Sequence, residues 1–331
     1  MKTIHQIAVI APETIECIKR PLDESPLKPD EIAGRTLATV VSAGTELAYF
    51  YQSRERTYPC FPGYAAVFEI DQTGSDVADL RIGDRVFCMG GHASRQRCKR
   101  IDAVRIPDGL KPEAAACARL AGISMTTLVT TPVRPPETVL ITGLGPVGNF
   151  AAQAFRNGGY RVIGIDPSPV RRQTAADCGL TDIRESVPDE TDPIAGTVGL
   201  IAECSGHEQA TLDALRVIRK RGEIVLIGVP WRKRTEATAF DILNKVFHQY
   251  AVIRSGWEWE LPLRAAPFQP ASIFGNIQGA LDWIADGRII TKGLLESRSP
   301  LDAPAVYRAL NSGATDRLIQ AFDWTDPKLN E

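Results

Sequence analysis

The stretch TVLITGLGPVGNFAAQAFRN, residues 138–157, decides how the rest of the chain is read. Thr138–Thr142 is apolar and rich in β-branched residues, which suits a strand covered on both faces. Gly143, Gly145 and Gly148 follow in the spacing G-x-G-x-x-G, and from Pro146 to Asn157 the apolar residues recur at helical intervals. Each glycine has its own work in such a turn. Gly143 permits the tight bend, Gly145 lets backbone approach a pyrophosphate, and Gly148 lets the helix lie close on the strand. The start of the helix adds positive potential from its unpaired N–H groups. A second strand, RVIGI at 161–165, runs into Asp166, which stands where a carboxylate accepts hydrogen bonds from a ribose diol. These residues predict a dinucleotide site in which Gly143, Gly145, Pro146, Val147, Gly148 and Asp166 touch the cofactor.

Asp166 repels a 2′-phosphate, so NAD is expected over NADP. Arg171 and Arg172 in the next helix bear on the same choice, because either can reach the adenosine side; Arg171 is taken as a cofactor contact. Beyond Asp166 the alternation continues. Helix 170–178, strand GLIAE at 199–203, helix 209–219, strand EIVLI at 223–227 and strand QYAVI at 249–253 predict an α/β fold with a doubly wound parallel sheet. Open sheets of this kind bind ligands at the carboxyl ends of their strands, which adds Cys204, Ser205, Gly228, Val229, Ser255 and Gly256 to the expected contacts.

The first third reads differently. TLATVV at 36–41, the strand from Ala65 to Ile70, and RVFC at 85–88 are short β segments separated by glycine turns. From Lys111 an alanine-rich helical pattern opens a new domain. The tail after Glu258 carries too little core for a unit of its own. Residues 1–118 with 258–331 are therefore expected to form a β-rich domain, and 119–257 the dinucleotide domain. A chain of 331 residues, 44% hydrophobic and 24% charged with a net charge of −2, is long enough for two such cores. It has no basic surplus to draw nucleic acid or a membrane surface. Seven scattered cysteines without a C-x-x-C pair, and a first apolar run too short for a signal peptide, suit free thiols in the cytoplasm.

Ala43-Gly-Thr-Glu46, Pro62-Gly-Tyr64, Gly83-Asp-Arg-Val86, His92-Ala93, Ile106-Pro-Asp-Gly109 and Gly143–Gly148 together resemble the medium-chain dehydrogenases/reductases, over nearly the whole chain. VSAGTELAYF, FPGYAAVFEI and GDRVFCMGGHAS are most similar to the zinc-free branch of bacteriochlorophyllide a dehydrogenase-like enzymes. The resemblance implies a GroES-like catalytic domain, a Rossmann domain, an active site in the cleft between them, and a homodimer paired through QYAVIRSG. Zinc-dependent relatives read Cys-Gly-Thr-Asp at Ala43–Glu46 and Gly-His-Glu at Gly63–Ala65, and carry a third ligand near Ala118-Arg119-Leu120. None of those three positions keeps a ligand here, and MGGHASRQRCKRIDAV leaves no room for the four-cysteine lobe. The expectation from sequence is therefore a site without zinc, although Cys88, His92 and Cys98 could be assembled into a makeshift one.

An oxidoreductase of this kind needs a side chain to carry the alcohol proton while hydride moves to or from the nicotinamide. Thr45 matches the hydroxyl that begins the family's proton relay. Tyr64, in place of the lost histidine, is the leading acid–base residue, its phenol expected to be lowered by the positive charge of a bound NAD+. Glu46, which could equally pair with Arg119, and His92 are the other catalytic expectations. Tyr49, Phe50 and Tyr51 could wall a substrate pocket or pack between the domains. Trp257 and Trp259 could line the same cleft or cover a dimer contact. Arg95, Arg97, Lys99 and Arg100 could meet an anion or form a solvated edge. The reaction expected is hydride transfer between nicotinamide and a secondary alcohol or ketone. An NADPH-using enoyl or quinone reductase and a non-catalytic NAD-binding sensor are the alternatives.

Overall fold

The computed structural model describes residues 2–315 and 317–330. The chain divides into two compact units, Met1–Arg119 with Thr291–Glu331, and Leu120–Ile290.

The first unit begins with strands β1 (Thr3–Ala11), β2 (Thr14–Pro21) and β3 (Glu31–Val40), a single helical turn α1 (Ala43–Thr45), and the π-helical stretch Glu46–Tyr51. Strands β4 (Ala66–Thr73), β5 (Arg85–Cys88), β6 (Arg95–Lys99) and β7 (Ala103–Arg105) follow, then helix α2 (Pro112–Ala116). Helix α3 (Ala118–Thr130) leads into the second unit. There, β8 (Thr138–Thr142), α4 (Pro146–Asn157), β9 (Arg161–Ile165), α5 (Pro169–Asp177), β10 (Asp182–Arg184), β11 (Val198–Glu203) and α6 (Glu208–Ala214) alternate. They are followed by β12 (Ile218–Leu226), α7 (Ala239–Gln249), β13 (Val252–Ser255) and α8 (Ile273–Ala285). The chain then returns to the first unit with β14 (Leu295–Arg298), α9 (Ala303–Ser312) and β15 (Ile319–Asp323).

In the second unit six parallel strands lie in the order β10-β9-β8-β11-β12-β13, the doubly wound arrangement. Every residue of β11 is buried, as a central strand covered on both faces requires. Val139, Ile141, Leu200, Ala202 and Val225 on one face, and Leu140, Ile201 and Ile224 on the other, build separate cores against the flanking helices. The first unit is β-rich, with sheet order β14-β15-β3-β4-β5-β7, β6 paired on β3, and β1–β2 as a separate hairpin. Tyr307 from α9 and Phe322 and Trp324 from the end of the chain close its core over Ile7, Val9 and Val41.

The extent of the second unit differs from the sequence expectation. Residues 258–290 belong with it and only those from Thr291 onward return. The reason is α8, which buries Ile273, Phe274, Ile277, Ala280, Leu281 and Ile284. Asn276 Nδ2 donates to Thr126 Oγ1 of α3 at 3.3 Å, and Gly122 of α3 faces Ile277. A helix this apolar takes the surface that offers a matching groove, which α3 supplies. Helix α7 was not expected at all; Thr238 and Asp241 form a reciprocal capping box at its start.

Candidate active site

In the second unit the turn after β8 has the geometry its glycines announce. Gly143 adopts φ +82°, the left-handed region, and a Cβ there would meet Ser205 at 2.9 Å. A Cβ on Gly148 would stand 1.7 Å from the Gly143 carbonyl oxygen, so helix and turn touch backbone to backbone. Gly145 is different. Its φ of −64° and ψ of −172° suit any residue, and nothing lies within 4 Å of where its Cβ would be. The fold itself does not need a glycine there.

Asp166 is buried, and both its oxygens serve the same turn. Oδ2 accepts the Leu144 N–H and Oδ1 the Ser168 N–H, each at 2.8 Å. Arg171, half exposed, approaches Oδ2 at 3.6 Å. Arg172 instead donates to the Asp166 and Pro167 carbonyls, a structural cap. After β11, Glu203 gathers the Ser205 N–H at 2.7 Å, the Ser205 hydroxyl and the Gly206 N–H, fixing the loop at the strand's carboxyl end. Burial pushes the Glu203 carboxyl up, against the lowering pull of those donors. Gly206 and Gly228 approach each other so closely that a Cβ on Gly228 would lie 2.3 Å from the Gly206 N. Gly256 N donates to Leu226 O at 2.8 Å. The loops carrying Cys204-Ser205, Gly228-Val229 and Ser255-Gly256 all end strands at the same edge of one sheet, beside the Gly143–Gly148 turn.

In the first unit the expected catalytic residues fall in two layers. Thr45 and Tyr64 are half-buried; Glu46 and His92 are fully buried. The Tyr64 hydroxyl donates to Ser42 Oγ and is hydrogen-bonded to Thr45, while Arg119 lies 4.8 Å from the centre of its ring. Burial pushes the Tyr64 phenol up, outweighing the lowering effect of Ser42, Thr45 and Arg119. The chain by itself thus raises this phenol, where a lowered one was expected from a bound cofactor's charge.

Behind Tyr64, Glu46 turns its side chain back on its own helical turn. Oε1 accepts the Ser42 N–H at 2.7 Å, one half of a helix-start cap, for the Ser42 side chain caps no backbone N–H in return. Oε2 meets His92 Nε2 at 3.0 Å and accepts the hydroxyl of Tyr307. The partners of Glu46 are therefore Ser42, His92 and Tyr307 rather than Arg119. His92 Nδ1 lies 2.7 Å from Thr39 Oγ1, which also accepts the Trp324 indole N–H at 2.9 Å. A carboxylate only accepts, so His92 carries its proton on Nε2 when neutral and takes the Thr39 hydroxyl proton on Nδ1. The hydrogen bonds then run in one direction, from Trp324 through Thr39 and His92 to Glu46. Ser42, Thr39, Tyr307 and Trp324 were not singled out from sequence. The spacing of Ser42 and Glu46 could have suggested the cap. Nothing local signals Tyr307, which lies 261 positions from Glu46.

Other expectations resolve as follows. Tyr51 is buried against Tyr307, with ring centres 5.7 Å apart, so it is core rather than a pocket wall. Arg95 pairs with Asp71, Arg97 with Glu31 and Arg100 with Asp79, which neutralises the basic run on and just after β6. Trp257 and Trp259 are exposed.

A family model described as "Zinc-binding dehydrogenase" matches residues 146–262. The chain is 24% identical over 268 residues to the sorbitol dehydrogenase of Bacillus subtilis, covering 68% of this chain and 75% of that protein. It is 33% identical over 179 residues to the D-guloside 3-dehydrogenase of Shigella flexneri, half of each chain. Among solved structures, galactitol-1-phosphate dehydrogenase of Escherichia coli superposes with a TM-score of 0.81 at 16% identity, over 96% of this chain and 99% of that one. Acetophenone reductase of Geotrichum candidum, in complex with NAD, gives 0.80 at 15% identity, over 98% and 99%. These likenesses establish the fold.

They also correct the cofactor expectation. The family matched is one of zinc-binding dehydrogenases, so the reading of a cofactor set without zinc does not stand. The residues themselves do not fit a three-ligand zinc site of the usual kind. Among the described residues no group of three or more His, Cys, Asp or Glu is placed to hold a metal ion. His92 has both ring nitrogens engaged, which removes it from any set with Cys88 and Cys98. The neighbouring Cys98 thiol, then burial, holds the Cys88 thiol well above its ordinary value.

Proposed function

We propose that this chain is a member of the medium-chain dehydrogenase/reductase superfamily, which the family match and the dehydrogenase relatives support, and that it transfers hydride between a nicotinamide dinucleotide, NAD in preference to NADP, and a secondary alcohol or ketone. The observation that carries the reading is Gly145, a glycine in an ordinary backbone conformation with open space over its Cα, at the start of a helix where a pyrophosphate binds. The dinucleotide, when bound, supplies or accepts the hydride. Asp166 would accept the ribose hydroxyls on lone pairs beyond those that take the two backbone N–H groups, with Arg171 3.6 Å from Oδ2. Ser205, Val229 and Ser255 shape the loops that would hold the rest.

The chain's own proton chemistry lies with Tyr64, Thr45 and Ser42. In ketone reduction the developing alkoxide needs a proton. A phenol raised by burial holds one at neutral pH and is refilled through the Ser42 and Thr45 hydroxyls. In alcohol oxidation the same phenol must first lose its proton, so that direction gains with rising pH. Glu46 and His92, buried and fully partnered, act behind Tyr64 rather than on substrate.

The test is loss or gain of nicotinamide absorbance with a panel of secondary alcohols and ketones. Tyr64→Phe should lower kcat by about 10²- to 10⁴-fold, the usual contribution of a positioned acid–base group, with NADH affinity unchanged. Turnover by Tyr64→Phe at the unmodified rate would remove Tyr64 from the chemistry, and absence of turnover beside tight NADH binding would remove the enzymatic reading.

We also propose a homodimer. Strand β13 is an edge of its sheet, with Val252 exposed on it and Phe247, Tyr250 and Trp257 exposed nearby, an apolar border suited to a second copy. No helix among the described residues is long and apolar enough to cross a membrane. All seven cysteines are free thiols, which fits a cytoplasmic protein.

A further inference from the structure

We propose that Tyr307 is a positioning residue for the acid–base site: with His92 it clamps the Glu46 carboxylate, and through it the turn that presents Ser42 and Thr45 to Tyr64. The inference rests on the reading of Tyr64 given above and extends it to a segment of the chain no motif connects to catalysis.

Tyr307 sits in the middle of α9, fully buried, its ring packed on Tyr51 and its hydroxyl given to Glu46 Oε2. His92 reaches the same oxygen. The other oxygen takes the Ser42 N–H, so three donors from separate stretches of the chain hold the Glu46 carboxylate in place. Ser42 is the hinge of the arrangement: its N–H is bound to Glu46 and its hydroxyl to Tyr64. Displacing Glu46 therefore displaces the hydroxyl that Tyr64 leans on, without touching Tyr64. A buried carboxylate with a donor removed is costly, since it loses compensation it cannot recover from water. Tyr307 is also kept a donor, because burial and the adjacent Glu46 push its phenol well above its ordinary value. Charged and titratable groups facing Tyr64 are Glu46 and Arg119; those facing Tyr307 are Glu46, Tyr51 and, through Glu46, His92.

Removing the Tyr307 hydroxyl has two effects of the same sign on Tyr64. Glu46 is left with less compensated negative charge, which opposes a second negative charge nearby, and the Ser42 and Thr45 bonds that favour the phenolate loosen. The ionisation midpoint of Tyr64 should rise.

The experiment uses the full-length protein and reads that midpoint directly. Tyrosinate absorbance is titrated in each variant with and without Tyr64→Phe, and the difference reports Tyr64 alone. Tyr307→Phe, which keeps the ring in the core, should raise the midpoint and lower kcat about ten-fold with sorbitol or butane-2,3-diol, while NADH affinity stays constant. His92→Leu, which removes the other donor to the same oxygen, should move the midpoint the same way, and His92→Gln, which keeps an N–H, should move it less. A folded Tyr307→Phe whose Tyr64 midpoint coincides with wild type would overturn the proposal. If that variant does not fold, equal midpoints in the two His92 variants overturn it. A shifted midpoint in a protein that turns over no alcohol or ketone sustains the clamp and sinks the oxidoreductase reading instead.

Discussion

Gly145 and Gly148, three residues apart in the glycine turn, should respond to the same substitution in different ways. At Gly148 an added Cβ would lie 1.7 Å from the Gly143 carbonyl oxygen, where real contacts are essentially never under 3.0 Å, so helix and turn must part by about 1.3 Å (3.0 − 1.7). Both atoms belong to backbone and no side chain can swing aside. Overpacking of this sort costs about 1–3 kcal/mol, and a unit of this size loses about 2–4 °C of melting temperature per kcal/mol. Gly148→Ala should therefore melt several degrees lower and bind NADH poorly, because the pyrophosphate cradle is deformed. Gly145→Ala places its methyl where nothing lies within 4 Å, on a backbone with φ −64° that alanine adopts freely. Its melting temperature should be unchanged. Its methyl would meet the pyrophosphate, and an overlap costing about 1.4–2.8 kcal/mol lowers affinity by about 10- to 100-fold. Thermal melting beside NADH fluorescence titration separates the two. Undiminished NADH binding by Gly145→Ala would refute the reasoning, since the open space over that residue would then hold no ligand.

Asp166→Ser removes the carboxylate that takes the Leu144 and Ser168 N–H groups and would repel a 2′-phosphate. NAD affinity should fall and the NAD-to-NADP preference should narrow by about ten-fold or more, read by calorimetry with both dinucleotides; an unchanged preference would show that Asp166 does not face the ribose. Val252→Lys puts a charge on the exposed edge strand and should convert a dimer to a monomer in sedimentation velocity. Wild-type protein that sediments as a monomer at every concentration would end the dimer proposal before the variant is made.

The dinucleotide half was legible because its information is local. A strand, a glycine turn, a helix and an acid lie within one short run of sequence. Gly143 takes the left-handed conformation its turn demands, and Gly148 the close backbone approach. The parallel order of the sheet followed from alternation, since crossovers of one hand leave few other topologies. Helix boundaries after β11 were less clear. Residues 215–219 belong to a turn and the start of β12 rather than to a longer helix, because Val217 and Ile218 are wanted in the core under the sheet. Helix α7 was missed although its apolar residues do recur at helical intervals: Ile242 and Val246 pack against the core, while Phe240, Leu243 and Phe247 stay exposed.

What the sequence by itself determined is the α/β class of the second unit, with its glycine turn between β8 and α4 and the acid that ends β9. Tertiary structure alone decided that Glu46 and His92 stand behind Tyr64, that Arg119 attends the Tyr64 ring instead of Glu46, and that α8 stays with the second unit. Those outcomes depend on contacts between residues far apart in the chain, such as Tyr307 with Glu46 and Trp324 with Thr39. A hydrogen bond across such a distance leaves no periodicity or spacing to read. It exists only once burial has removed water as the competing partner and the core has brought the two groups together.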